Sequence, residues 1–435
     1  MKVFLALWVT TVFACNVKGE QSWWQSMSIY QIFPRSFMDS DGDGIGDIKG
    51  IISRLDHLVE LKIDAFWFCP VYKSPMVDNG YDVSNFTEID PIFGTMEDFE
   101  SLVKRAHDLK LKVILDFVPN HSSDQHEWFK KSVAGIEPYA DYYVWHKGRI
   151  VDGTIQVPNN WVRIFTAINF TTIRILKIRI QAAYKNVKVS LAIAKPPISA
   201  IDKKILAEKP HLHATHAVRL RWNIGNHDTR RLASRLGILR AMAFTALVLL
   251  LPGVASTYYG EEIGMLDAPI VITDLAYFRD PERSLMQWDN STSAGFSTNP
   301  NTWLAVNPNY KTLNLEAEKV CNESYYNYYK ALASLRNLPA VRSGNMKMEI
   351  LDNDVLVFSR YLKEEKSVYV LINFADQMKT VSLRRFENTP EELAFYRATP
   401  GLRLKSGTLI KTDEINVPSN ATMVFVDIKN RNTVN

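Results

Sequence analysis

Hydrophobic positions divide the chain into short segments of alternating rhythm. Ile29–Pro34 is a brief apolar run of strand length. From Ile48 to Lys62 the residues Ile51, Ile52, Leu55, Leu58 and Leu61 recur at helical spacing, which predicts a helix with one buried face. Asp64–Pro70 predicts a buried strand, Met96–Lys110 a helix with Phe99, Leu102, Val103 and Ala106 on one side, and Leu111–Val118 another buried strand. Strands alternating with helices argue for a parallel sheet with helices outside it. The rhythm changes late in the chain. Met346–Tyr361, Lys366–Phe374, Met378–Phe386 and Thr422–Ile428 read as short strands alternating with turns, predicting a separate antiparallel domain. The expected architecture is an α/β barrel followed by a small β domain.

Two further apolar runs bear on compartment. Lys2, the run Val3–Ala14 and the small and polar residues around Cys15–Gly19 have the build of a cleaved signal peptide over residues 1–19, with a buried first helix or strand as the alternative. Ala241–Leu251 is stopped by Pro252-Gly253 and is too short for a bilayer, so no membrane span is expected. Sequons at Asn85, Asn169, Asn290, Asn322 and Asn420 suit an exported glycoprotein. The expected location is extracellular. Cys69 and Cys321 would remain after processing, and Cys69 inside an apolar strand reads as a small buried hydrophobe rather than half of a disulfide.

Composition removes several classes. The 435 residues carry 51 lysines and arginines against 47 aspartates and glutamates, a net charge of +4, with 46% apolar residues. Bulk disorder is excluded, as is a nucleic-acid binder driven by overall charge, and three cysteines cannot staple a chain this long.

Candidate chemistry sits in three places. Asp39-Ser-Asp41-Gly-Asp43-Gly-Ile45-Gly-Asp47 places oxygen ligands at alternate positions with glycines for a tight wrap, which suits a hard cation. It is not an EF-hand, because position twelve is Gly50 where a bidentate glutamate is needed. A metal-free acidic turn is the alternative. Asp116-Phe-Val-Pro-Asn120-His121 follows a buried strand, and Gly225-Asn226-His227-Asp228 follows a second candidate strand, Arg221–Ile224. A carboxylate, an amide and an imidazole at the carboxyl end of barrel strands point to an active-site face. Gly80-Tyr81-Asp82 and Tyr258-Tyr259-Gly260-Glu261-Glu262 add aromatic and acidic groups.

With these motifs in view, the chain resembles the secreted α-glucosidases (maltases) of insects, in glycoside hydrolase family 13 of the α-amylase superfamily. The resemblance rests on Ile29–Phe37, Tyr72–Asp82, Asp90–Gly94, Asp116–His121, Gly225–Asp228, Tyr258–Met265 and Met286-Gln-Trp-Asp289, in order along the chain. It implies a (β/α)8 TIM barrel, incomplete in this chain, followed by a C-terminal antiparallel β-sandwich. The implied division is a signal peptide 1–19, barrel segments 20–162 and 223–344 separated by an anomalous basic segment 163–222, and a β-sandwich domain 345–435. It further implies calcium or magnesium held by Asp39, Asp41, Asp43, the Ile45 carbonyl and Asp47, with no organic cofactor. Asp82 and His121 would hold hydroxyls of a terminal glucose, with Tyr81 stacked on its ring. His227 and Asp228 would grip the hydroxyls near the anomeric carbon, Asp228 as transition-state stabiliser. The implied partner is a disaccharide or short oligosaccharide, with no nucleic acid; monomer and dimer are both left open. Leu285 stands where the family has a proline before Met-Gln-Trp.

Retaining hydrolysis needs two more carboxylates, a nucleophile and an acid/base, close together across the sugar. The resemblance places the nucleophile in a Gly-Phe/Val-Arg-x-Asp strand and the acid/base glutamate at a later strand end, both between Val162 and Asn223. Neither pattern is there. Residues 163–222 contain one aspartate, Asp202, one glutamate, Glu208, and twelve lysines and arginines. Both acids adjoin lysines and read as solvated surface groups. The segment's excess of basic charge is a sharp compositional break. It reads as a misassembled or mistranslated stretch in place of the middle barrel strands, with a divergent domain or an anion-binding surface as alternatives. The chain is then expected to be inactive as written, or a non-catalytic sugar-binding relative.

Overall fold

The computed structural model describes residues 22–143, 145, 149–151, 154–156, 221–271, 278–386 and 389–427. The chain divides into two units, 1–71 with 89–116 and 220–435, and 72–88 with 117–219.

The first unit is built on a parallel sheet ordered Lys112–Leu115, Ala65–Phe68, Ser28–Ile32, Val254–Tyr258, Arg221–Trp222 among the described residues. Ile29 pairs with Ala65, Ser28 with Ala255, and Arg221 with Val254. Ser28–Ile32 is buried at every position, as a central parallel strand covered on both faces requires. The sheet is curled. Two strands separate Arg221 from Trp67, yet its guanidinium sits 4.9 Å from that ring and donates to Ser256 Oγ at 3.0 Å. Such curling is how a sheet closes toward a barrel.

Helices flank the sheet. Met96–Asp108 is opened by a reciprocal capping box between Thr95 and Asp98, and it buries Leu102 and Ala106. The predicted helix over 48–62 is two short helices, Ile48–Ser53 and Leu55–Glu60. They break at Arg54, whose guanidinium lies 4.5 Å from the Trp288 ring and whose Nε donates to Met38 Sδ. The apolar run at 241–251 lies mainly in a buried core helix, Ile238–Leu250. Among the described residues no helix is long and apolar enough to cross a membrane.

The C-terminal part of this unit is a six-stranded antiparallel sheet ordered Asn345–Leu351, Val355–Tyr361, Val368–Asn373, Thr422–Val426, Glu392–Ala398, Leu409–Lys411. A small sheet of Lys379–Val381 with Ile415–Val417 faces it. Leu371, Phe395 and Phe425 of the large sheet share one core with Val381 and Val417 of the small one. One arginine, Arg360, joins this sandwich to the barrel part, and a second, Arg336, ties the barrel part together beside it. Arg360 donates to Leu250 O at 2.8 Å and Gly344 O at 2.9 Å. Arg336, fully buried, donates to Leu249 O, Ser26 O, Met27 O and Gly253 O. Both satisfy carbonyls at the end of helix Ile238–Leu250 that would otherwise be stranded.

The second unit holds Tyr72–Lys73 paired with Asn85–Ile89, the helix Glu127–Val133 and a hairpin of Arg149–Val151 with Thr154–Gln156. Phe129 packs edge-on against Tyr143 and near-parallel to Trp145, whose indole donates to Ser132 Oγ at 2.8 Å.

Candidate active site

The loop after strand Arg221–Trp222 carries the clearest chemistry. Asn226 Oδ1 accepts the Asp228 amide at 2.8 Å, folding the loop back on itself. Gly225 lies against a buried carboxylate, since a Cβ there would fall 2.2 Å from Glu261 Oε1. His227 is only 7% exposed and stacks on Phe33. Its Nδ1 lies 2.8 Å from Gln31 Nε2; with that amide as donor, the ring proton sits on Nε2, 3.5 Å from Asp228 Oδ2. Burial, with the Arg283 and Arg279 charges and against the pull of Asp228, pushes the imidazole down to about 4. His227 is therefore neutral at physiological pH.

Asp228 is about half exposed, at 48%, and receives two arginines: Arg279 Nη1 at 2.5 Å and Arg283 Nη2 at 3.0 Å. Arg283 also donates from Nε to the His227 carbonyl at 2.7 Å. Partial burial works to raise this carboxyl. His227 and the two arginines outweigh it and hold Asp228 below the usual carboxylate range. The result is an ionised carboxylate with one side on solvent, beside a neutral imidazole, which can accept hydrogen bonds from sugar hydroxyls.

Tyr258–Glu262 is internal rather than solvent-facing. Glu262 Oε1 accepts from Tyr30 OH at 2.7 Å and contacts His57 Nε2 at 2.9 Å. Glu261 Oε2 accepts the Tyr258 amide at 2.8 Å, and Oε1 has no partner among the described residues. Burial raises Glu261 to about 7. Both acids are embedded in the core behind the loop. Cys69 is buried there as well, its sulfur accepting from Gln31 Nε2 at 3.6 Å.

In the second unit, Asp82 and His121 are spent partly on their own loop. Asp82 accepts from Ser74 Oγ at 2.8 Å, the Val77 amide at 2.9 Å and the Asp78 amide at 3.0 Å. His121 Nε2 lies 3.1 Å from the Tyr81 carbonyl, so the residues read as one sugar-binding group are brought together locally.

The acidic loop gathers Asp39, Asp41 and Asp43, each offering an oxygen within 4.8 Å of the others. Partial burial and the neighbouring carboxylates raise Asp43 above its ordinary value, against the donated Ile45 amide. Crowded hard oxygens suit calcium or magnesium. Asp39 also organises the loop, accepting the Gly42 and Gly44 amides at 2.8 Å and Ser297 Oγ at 2.6 Å. Gly44 adopts φ 93°, and a Cβ there would strike Asn301 O at 2.4 Å. Asp47 stands apart from the trio as the N-cap of Ile48–Ser53, accepting from Gly50 N, Ser40 N and Ser40 Oγ.

Asp202 and Glu208 lie outside the described residues, as does segment 163–222 except for Arg221 and Trp222. Sequence reasoning missed Arg279 and Arg283. The sequence carries only a weak trace of them, two arginines four apart just before Met286-Gln-Trp-Asp289.

The α-amylase catalytic-domain model matches residues 31–172 and 176–344. The chain is 35% identical to an α-glucosidase of Apis mellifera over 503 positions, covering 86% of this chain and 89% of that protein. It is 29% identical to a salivary α-glucosidase of Anopheles gambiae over 557 positions, 94% of each. Both alignments are longer than this chain, so each relative carries residues without a counterpart here. Among solved structures, a trehalulose synthase from Pseudomonas mesoacidophila superposes with a TM-score of 0.74 at 24% identity, covering 94% of this chain and all of that one, a likeness of fold.

Proposed function

The chain belongs to the α-amylase catalytic-domain family, glycoside hydrolase family 13, as an α-glucosidase-like member, and from that premise we propose that it takes the terminal α-linked glucose of maltose, sucrose or a short oligosaccharide. The observation that carries this reading is Asp228, held ionised by Arg279 and Arg283 beside the neutral His227. Such a carboxylate accepts sugar hydroxyls and stabilises positive charge developing at an anomeric carbon. Tyr81 stacks on the glucose ring, and Asp82 and His121 bind its hydroxyls, each giving up one of its loop bonds. Asp39, Asp41 and Asp43, with the Ile45 carbonyl and Asp47 as further oxygens, hold a structural calcium or magnesium ion. The protein is exported through the segment 1–19 and glycosylated on some of its sequons.

Family hydrolysis with retention would need a nucleophile and an acid/base from residues 163–222, which offer only Asp202 and Glu208. This chain therefore binds sugar without turning it over. Glucose release from maltose by the purified chain, free of host enzyme, is expected to match a buffer blank, and sustained release would overturn that. The basic composition of 163–222 favours a second reading at the level of the gene, a damaged copy of an active α-glucosidase. Sequencing the mature transcript across codons 160 to 225 separates the two. Recovery of a Gly-Phe/Val-Arg-x-Asp strand and a later glutamate makes the protein an active glycosidase, whereas the same sequence again leaves a non-catalytic sugar binder.

A further inference from the structure

Both arginines hold Asp228 through the single oxygen Oδ1, which leaves Oδ2 for sugar hydroxyls and the loop tied at one point. A second ionic connection lies two residues further on. Arg230 Nε is 3.7 Å from Glu282 Oε2, and Arg230 Nη1 is 3.6 Å from Asp267 Oδ2. Asp267 also accepts the Arg231 amide at 2.8 Å through its other oxygen. The pairing is reciprocal with the first. Asp228 of the loop meets arginines of the 279–283 segment, and Arg230 of the loop meets a glutamate of that same segment. Glu282 is buried, with a side chain 2% exposed, while Arg230 is 42% exposed and lies on its open side. A buried carboxylate whose counter-ion is removed pays a desolvation penalty without compensation, so this contact matters more than an exposed pair. None of the three side chains is one of the proposed sugar ligands.

We propose that Arg230, Glu282 and Asp267 are positioning residues, a second tie that keeps the Asn226–Arg231 loop in place so that Asp228 presents its open oxygen to sugar hydroxyls. This rests on the sugar-binding reading of Asp228. Loss of the tie lets the loop open locally, which raises backbone exchange there and weakens sugar binding without touching a ligand.

The test is hydrogen exchange by mass spectrometry on the full chain at pH 8, alongside calorimetric titration with maltose. The pH matters because Glu282, raised to about 7 chiefly by burial against the opposing charges of Arg230 and Arg283 and with that of Asp267, is then ionised. In Arg230→Gln and Glu282→Gln, exchange across residues 223–236 should rise about fivefold, with the 345–427 sheet unchanged as the control for folding. Maltose binding should weaken roughly threefold, and Arg230→Lys, which keeps the charge, should restore most of both. Unchanged exchange in both glutamine variants overturns the tie, as does equal loosening by Arg230→Lys. If the wild type binds no maltose yet the exchange pattern and its rescue appear, the tie stands and the sugar reading falls.

Discussion

Burial sets the charge of individual groups in this protein, and Glu261 offers the clearest test. Its folded value of about 7 lies well above that of an exposed glutamate, because its carboxylate is withdrawn from water beside Gly225, with Oε1 lacking a partner among the described residues. A raised value means the neutral form is favoured in the fold. The stability this group contributes is fully present below the unfolded value and is lost as pH rises through 7. Glu261→Gln removes that loss, and its amide oxygen can still accept the Tyr258 amide. The variant's stability relative to wild type should therefore improve by about 3 kcal/mol between pH 4.5 and 8. Denaturant melts at several pH values measure the difference directly, and parallel curves for the two proteins would sink the assignment. At this level the sequence was a partial guide. Asn226-His227-Asp228 was readable because a strand, a turn-forming amide and a carboxylate stand in order. Arg279 and Arg283 were not, since arginines four apart resemble a solvated face until their burial is seen.

Elements were legible where a period ran long enough. The helix Met96–Asp108 shows its period, and the strands Val355–Tyr361 and Val368–Asn373, buried at nearly every position, fall within predicted apolar segments. Glu392–Ala398 did not show itself, because a register shift between Phe395 and Arg397 breaks its alternation. Leu409–Lys411 and Ile415–Val417 span only three residues, too few to display a period. The acidic loop is an element whose order depends on charge. Three carboxylates converge there, and the loop feeds the cap of the helix Ile48–Ser53. Adding calcium to chelator-treated protein should raise the melting temperature by several degrees, and Asp41→Asn should lose most of that gain. A melt insensitive to both calcium and magnesium would leave the loop as a metal-free turn.

The whole chain combines a recognisable family frame with one stretch of foreign composition. The parallel sheet, the flanking helices and the antiparallel domain follow from hydrophobic pattern. That pattern reports which face is buried, so it carries fold class well. It does not report which groups stand together at a strand end, as Arg279 and Arg283 do beside Asp228. Whether this frame still takes sugar is decided by titrating maltose into the purified chain and into Asp228→Asn in a calorimeter. Sugar binding at Asp228 gives saturable heat from the wild type and binding about tenfold weaker in the variant, the worth of one hydrogen bond to a charged group. A well-folded wild type that gives no saturable heat, or a variant that binds equally well, would contradict it.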